Sequence, residues 1–334
     1  MLSLKSYFFI IKLLISLFLI WFLVHTTELN FSLLLNLLQH PILFFIAISF
    51  ILLTTIIGAW RWSLLNRAQM IMLPFKKTLY IAYMSTAFNY LLPGSIGGDL
   101  IRFHLLSKDI SQKKSHITAS ILTDRIIGLL GIFALFTLVT CFDIKVFYHM
   151  STLFYFLIIS FLCGIALLII LTILTSKDHI HTLLTKHFSN KKWIHPIITF
   201  FDAIHIYRHQ KKVLLQTLLL SMAMQCLIAS TCFLLGKMML FPPISFNHYM
   251  IAVAITQIVN LIPIAPGGLG LGEIAFANII TMLNPYANLS YATIFIAYRI
   301  LGIVAYLPGV FVIFDFQSRY TYNANENDMG EDKL

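Results

Sequence analysis

The chain has 334 residues, of which 59% are hydrophobic and 11% charged, with a mean hydropathy of +0.87 and a formal net charge of +10 at pH 7. A soluble domain of this length could not bury so much apolar surface, so lipid must be the solvent for most of the chain. In a membrane protein the bases mark cytoplasmic loops and contact anionic headgroups, and we expect no nucleic-acid partner.

Apolar runs of about twenty residues alternate with basic loops, a pattern typical of a helical protein that crosses the membrane several times. The predicted spans are 7–24, 41–60, 117–141, 151–175, 213–235 and 290–314. Because nearly all Lys and Arg residues then fall on one face, Arg61 and Arg102 among them, that face and both termini are predicted to be cytoplasmic. The polar segment 317–334 predicts a disordered tail, so the predicted transmembrane domain covers 1–316.

Two further apolar stretches, 78–92 and 248–283, adjoin or contain turns rich in glycine and proline. The first has basic loops on both sides, so the simplest topology is a re-entrant hairpin that enters from the cytoplasm and returns. The same reasoning makes the second hairpin enter from the outside. Irregular backbone at membrane depth must be satisfied by protein or by a water-filled cavity, so the two turns predict a cavity.

The two hairpins share a sequence pattern. "LLPGSIGGD" and "LIPIAPGGL" each have a proline, three residues and then Gly-Gly, followed by a carboxylate and a span containing "RIIG" or "RILG". The predicted fold class is therefore all-α, a polytopic integral membrane protein with two re-entrant helical hairpins in an inverted repeat, 78–141 and 248–315. Glycines that merely allow close packing are the alternative. The glycines predicted at the cavity are Gly97, Gly98, Gly267 and Gly268.

Several ionisable groups are predicted to lie within the membrane, where an arginine costs at least ~3 kcal/mol. They are Asp99, Asp124, Arg125, Glu273 and Arg299. One interpretation is internal pairing that holds the hairpins to the spans. The other is substrate binding: Arg125 and Arg299 hold a phosphate, helix N-termini add positive dipole ends, and the carboxylates balance the charge or meet a cationic headgroup.

Two weaker patterns leave their alternatives open. Ser120, Gly128 and Gly131 share a helical stripe with the predicted membrane acid of the same span, and this stripe is either a cavity wall or a packing seam. His205 and His209 are four residues apart, but further zinc ligands are not obvious. The sequence therefore predicts no metal and no cofactor.

Four segments are similar to the motifs of one known family. "LLPGSIGGDLIRFHLL", "SILTDRIIGLLG", "IPIAPGGLGLGEIAF" and "YRILGIVAYLPG" resemble the lysylphosphatidylglycerol synthase transmembrane family, the flippase-like domain of the bacterial multiple peptide resistance factor. The resemblance implies a bacterial inner-membrane protein with re-entrant helices that moves a lipid headgroup between leaflets. In the resistance factor that lipid is an aminoacylated phosphatidylglycerol. Because this chain ends at Leu334 after a short tail, we expect no aminoacyl-transferase domain and no synthase activity.

The main hypothesis is a flippase-like transporter for an anionic or aminoacylated phospholipid, or another lipid phosphate, rather than an enzyme. Its expected partners are membrane lipids. A lipid-synthase or glycosyltransferase partner and a homo-oligomer are compatible with the same pattern. Two alternatives stay open: a membrane-embedded transferase that uses Asp99 or Glu273 as a base on a lipid-linked donor, and a scaffold for a lipid-synthase partner.

Overall fold

The structure, a computed structural model, describes the parts of the chain named here: 31–91, 97–109, 114–142, isolated positions in 155–169, 203–261, 270–284, 291–306 and 308. Regular secondary structure in these residues is helical. The predicted first span, most of the predicted 151–175 span, the tips of both hairpins and the polar tail lie outside the described residues.

The described residues include nine α-helices that surround the site. They are α1 (Phe31–Leu35), α2 (Pro41–Ala68), α3 (Phe75–Leu91), α4 (Gly97–Asp109), α5 (Lys114–Phe142), α6 (Lys211–Met238), α7 (Phe246–Val259), α8 (Leu271–Leu283) and α9 (Ala292–Tyr306). Of these, α2, α5 and α6 have 28, 29 and 28 residues and are long and apolar enough to cross a membrane. The prediction of a helical membrane protein is confirmed at this level.

Large apolar side chains lie on the outside of the long helices. Ile42 and Phe45 of α2 are 76% and 66% exposed, and Leu215 and Leu219 of α6 are more than half exposed. In water such surfaces would be costly, whereas in a bilayer they face lipid tails. The exposed faces therefore agree with the lipid environment that the composition requires.

The helix α2 is longer than predicted. The sequence places the end of this span at residue 60, before the first of two arginines, but the helix continues to Ala68. Arg61 therefore lies inside the helix, and its side chain is only 11% exposed. A charged residue can sit there because an acid on a neighbouring helix neutralises it, so the predicted position of Arg61 in a cytoplasmic loop is wrong.

The helices α2 and α6 have the same local construction. Each begins one residue after a four-residue 3₁₀ helix. Each is followed, two residues beyond its last residue, by a residue with positive φ, which is Met70 (56°) after α2 and Leu240 (58°) after α6. The next N–H then bonds to the carbonyl five residues earlier. These bonds join Ile71 to Asn66 (2.9 Å) and Phe241 to Gly236 (3.1 Å). Both helices therefore end in a Schellman motif with a non-glycine residue in the left-handed position.

Two contacts show the relative direction of α2 and α6. Gly58 of α2 faces Met224 of α6, and a Cβ at Gly58 would lie 3.3 Å from the methionine Cε. Two turns later along α2, the carbonyl of Leu65 accepts a hydrogen bond from Tyr207, which precedes α6 (3.1 Å). From Gly58 to Leu65 of α2 the contact partner changes from residue 224 to residue 207, so the two helices are antiparallel.

The buried apolar side chains form one main cluster and smaller ones, and the first hairpin and the later helices contribute to them unequally. The main apolar cluster draws on α2, α5 and all the later helices, and helices α7, α8 and α9 contribute most of their buried side chains to it. The first hairpin, α3 and α4, instead packs largely on a smaller cluster around Trp62 and Leu106. The first turns of α4 and α8 hold the two acids described next, Asp99 and Glu273.

Candidate functional site: two acid–arginine pairs

In the first hairpin a glycine lets the two arms touch. The N–H of Gly98, near the start of α4, donates to Asn89 Oδ1 near the end of α3 (2.9 Å). A Cβ at Gly98 would collide with the carbonyl oxygen of Ser85. The glycine therefore permits a close approach of helices, and it sets the position of the next residue, Asp99, in the first turn of α4.

Asp99 and Arg125 form a two-pronged ion pair. Arg125 Nε donates to Asp99 Oδ2 (2.7 Å), and Arg125 Nη2 donates to Asp99 Oδ1 (2.8 Å). The Arg125 side chain is 39% exposed and the Asp99 side chain is 19% exposed. This fork geometry is the one that guanidinium groups also use to bind phosphate.

The neighbouring acid, Asp124, binds two arginines at once. Arg61 Nε lies 2.7 Å from Oδ1, and Arg102 Nη1 lies 3.0 Å from Oδ2. Arg61 also donates to Ser221 Oγ of α6 (2.8 Å), and the Arg102 guanidinium lies 5.0 Å from the centre of the Trp62 ring. Asp124 is therefore the centre of a bridge between α2, α4 and α5.

We call these five residues the first charged cluster: Arg61, Asp99, Arg102, Asp124 and Arg125. Asp124 is 3% exposed, and its two arginine partners are little more exposed, at 11% and 12%. Three guanidinium groups face two carboxylates, so the cluster carries one excess positive charge within the described part of the chain. Such an excess inside a membrane protein favours an anion at the cluster.

The second hairpin has one pair, which is closed. Arg299 Nε of α9 lies 2.6 Å from Glu273 Oε1 of α8, and the two side chains are 12% and 1% exposed. The N–H of Gly270 donates to Glu273 Oε2 (2.8 Å), as in an N-terminal cap. Arg299 also donates to Asn260 Oδ1 (3.3 Å) and stacks on Phe295 at 5.2 Å.

The two acid–arginine pairs occupy equivalent positions in the two hairpin regions. These positions differ from those that the shared Gly-Gly pattern aligns. In both halves the acid precedes its arginine by 26 residues and directly follows a glycine that touches an asparagine. That glycine is Gly98 in the first half and Gly272 in the second, whereas the Gly-Gly pattern aligned Gly98 with Gly268. Gly267 and Gly268 lie outside the described residues.

The sequence pattern does not identify Arg61 and Arg102 as site residues, because a base beside an apolar span predicts a loop. Arg102 follows Asp99 by three residues, so both project from one face of α4, a signal that the sequence already contained. Arg61 has no comparable signal, because its partner Asp124 is distant in sequence. Within the described residues, each of the five predicted membrane charges has an ion-pair partner.

The polar stripe on α5 includes a packing seam. A Cβ at Gly131 would collide with Ser221 Cβ of α6, and a Cβ at Gly128 would lie 3.5 Å from Arg61 Nη1. Gly131 thus brings α5 and α6 together, while Gly128 leaves room for the Arg61 guanidinium. Of the two interpretations of the stripe, packing is the one that these contacts support.

Comparison with known proteins identifies the family. Residues 9–309 match the family model described as the lysylphosphatidylglycerol synthase TM region. Because the match covers most of the chain, the protein belongs to this family, as its motifs indicated. No curated protein matches the chain.

Proposed function

We propose that this member of the lysylphosphatidylglycerol synthase transmembrane family moves a phosphate-containing lipid headgroup between the two leaflets of the membrane. The family match supports a membrane function related to lipids. The observation that carries the more specific proposal is the first charged cluster, with its excess positive charge among the described residues and the partial exposure of the Asp99–Arg125 pair. Lipid tails would stay in the bilayer while the phosphate passes along this pair.

In this mechanism Asp99 is the internal counter-charge of Arg125. An incoming phosphate oxyanion has the same acceptor geometry as the carboxylate, so it takes over the guanidinium fork while Asp99 separates. Asp99 belongs to α4, and exchange would therefore loosen α4 from α5. This step couples headgroup binding to movement of the first hairpin.

We further propose that the two hairpins are re-entrant and belong to an inverted repeat. The antiparallel α2 and α6, their matching Schellman ends and the equivalent acid–arginine pairs support a two-fold relation between the halves. The repeat then starts at the 3₁₀ helices Asn36–Gln39 and Ile206–His209, earlier than 78 and 248. Inverted repeats with broken helices near the midplane are typical of secondary transporters.

The location that we propose is the cytoplasmic membrane of a bacterium, with both termini in the cytoplasm. Gln69 at the end of α2 hydrogen bonds to His116 of α5 (2.8 Å) and to the Ala203 carbonyl before α6 (2.6 Å). These contacts gather exposed bases of three helices at one end of the molecule. They are Arg67, Lys114, Lys211 and Lys212. A basic end of this kind is typical of the cytoplasmic side.

Reconstitution into lipid vesicles tests the function. Fluorescent phospholipids with a labelled acyl chain and an intact headgroup are placed in both leaflets, and a membrane-impermeant reductant reports how fast the inner pool becomes accessible. We expect the purified protein to accelerate this exchange and Arg125→Ala to slow it. The matched control is Arg67→Ala, which removes an exposed arginine outside the cluster. Equal rates for protein-free vesicles and vesicles with the protein would refute transport.

A further inference from the structure

Three buried hydrogen-bond donors around the first hairpin have no hydrogen-bond partner among the described residues. They are Trp62 Nε1 of α2, Ser85 Oγ of α3 and Arg102 Nε of α4. Trp62 and Ser85 are completely enclosed, each at 0% exposure. A buried donor without an acceptor lowers the stability of a folded protein, so three such donors around one hairpin indicate an acceptor that binds there.

The three donors lie along one face of α4. Gly98 and Arg102 are four residues apart in this helix and therefore share that face. A Cβ at Gly98 would lie 2.6 Å from Ser85 Oγ, and the Arg102 guanidinium carbon lies 5.0 Å from the centre of the Trp62 ring. The serine hydroxyl and the indole thus adjoin α4 at successive turns, and we call Trp62, Ser85 and Arg102 the donor cluster.

Charge favours an anion as the acceptor. Arg102 belongs to the first charged cluster, with its excess positive charge among the described residues, and it binds Asp124 through Nη1, which leaves Nε for another partner. Water can satisfy a single buried donor. Three donors beside a net positive charge suit a group that carries negative charge on several acceptor oxygens, and phosphate is such a group.

We propose that the donor cluster binds a phosphate oxyanion through the Arg102 Nε–H, the Trp62 indole N–H and the Ser85 hydroxyl. The inference rests on the proposed function only for the source of the phosphate, a lipid headgroup. The bound phosphate then lies between α4 and its neighbours α2 and α3, at a more enclosed position than the Asp99–Arg125 pair. Both enclosed donors adjoin α4, so the movement of α4 that separates Asp99 from Arg125 also uncovers them.

The indole N–H of Trp62 reports binding without requiring transport. Its NMR resonance, identified by its loss in Trp62→Phe, is followed in micelles during titration with dihexanoyl phosphatidylglycerol, inorganic phosphate or dihexanoylglycerol, which lacks the phosphate. We expect a saturable downfield proton shift with the phospholipid, because the N–H gains an acceptor. Absence of a shift with both phosphate compounds, or an equal shift with dihexanoylglycerol, would overturn the inference.

Ser85→Ala separates a ligand contact from a structural role. Removing a hydroxyl that has no partner should not lower the midpoint of denaturant unfolding without lipid, but it should weaken phosphatidylglycerol binding about fivefold or more. The matched control is Ser49→Ala, which removes an exposed hydroxyl bonded to the Phe45 carbonyl (2.8 Å) and should leave binding unchanged. Wild-type affinity in Ser85→Ala, or a lower midpoint without lipid, would contradict the site.

The vesicle assay separates this inference from the proposed function. If the Trp62 resonance shifts with phosphatidylglycerol but no lipid is exchanged between leaflets, transport is wrong and the site stands. If lipid exchange is normal in Ser85→Ala and neither phosphate compound shifts the resonance, transport stands and the site is wrong. A shift with inorganic phosphate and none with the phospholipid would support the oxyanion site and contradict a lipid headgroup as its ligand.

Discussion

The two hairpins carry the same acid–arginine pair in different surroundings. In the first, Asp99 and Arg125 remain partly exposed and adjoin three more charged residues. In the second, Glu273 and Arg299 are enclosed, and the pair is electrically neutral. The same two chemical groups therefore serve different ends, because their neighbours decide whether a ligand can reach them and whether it would be attracted.

Aromatic packing accounts for the closed state of the second pair. Phe276 of α8 stacks on Phe295 of α9 at 5.4 Å between ring centres, and Tyr249 of α7 lies 6.3 Å from Phe276. At the position equivalent to Phe276, three residues after the acid, the first hairpin has Arg102. Aromatic contacts stabilise the second hairpin in the main core, whereas ionic contacts, which a charged ligand can replace, hold the first. We infer that the first hairpin moves and the second supports it.

The largest effect is expected from breaking the enclosed pair. Arg299→Ala leaves Glu273 buried and without its guanidinium partner, and removing one member of a buried pair costs about 3–5 kcal/mol. Denaturant unfolding in mixed micelles measures the loss. Arg67→Ala, which removes an exposed arginine, should cost far less. A comparable loss in both variants would show that the second pair is not a structural element.

Adding a methyl group between the hairpin arms should have the next largest effect. In Gly98→Ala the new Cβ meets the backbone oxygen of Ser85, which cannot rotate away, and overpacking of this kind costs about 1–3 kcal/mol. In Gly272→Ala the nearest atoms, at 2.5 and 2.7 Å, belong to the side chains of Asn260 and Arg299, so a smaller loss is expected.

The same unfolding measurement, with Gly128→Ala as the control, checks this order. The nearest atom to a Cβ at Gly128 is 3.5 Å away, an ordinary contact. The reverse order, with Gly272→Ala costing more than Gly98→Ala, would mean that the second hairpin is the less adaptable of the two at this contact.

Removing the arginine of the partly exposed pair, Asp99–Arg125, should reduce the transport rate more than it reduces the free energy of unfolding. Arg125→Ala is expected to slow lipid exchange about tenfold, equivalent to about 1.4 kcal/mol, because a phosphate loses its guanidinium fork. The unfolding free energy should fall by less than in Arg299→Ala, because the Asp99 side chain is less enclosed than that of Glu273, at 19% against 1% exposed. The exchanged pair Asp99→Arg with Arg125→Asp sharpens the test. If it transports normally, the pair is only a structural contact.

The smallest effect is expected at the helix ends that the two halves share. Met70 is 69% exposed, and its positive φ costs a non-glycine residue about 1–2 kcal/mol. Met70→Gly relieves this strain but gives the unfolded chain more freedom, so a gain of under about 1 kcal/mol is expected. Met72→Gly, at an equally exposed methionine, should give no gain. A loss in Met70→Gly would contradict the strain.

The sequence places α5 and α6 close to their observed bounds and marks charged residues that form ion pairs, for a physical reason. Long apolar runs require lipid, and charges within them are costly enough to need a partner, so α5 and α6 and the residues Asp99, Arg125, Glu273 and Arg299 are all visible from pattern alone. The C-terminal end of α2 and the contact of Arg102 with Asp124 are harder to predict. A base beside a span is read as a loop residue unless its acidic partner is known.

Sequence by itself thus determined that this is a membrane protein, the approximate positions of its long helices, and which charged residues need ion-pair partners. Only the tertiary structure decided that Arg61 reaches Asp124 from another helix, and that one pair is open while its equivalent is enclosed. The reason is that composition and periodicity describe one helix at a time. The balance of charge at a site depends on which helices pack together and what they bring to the contact.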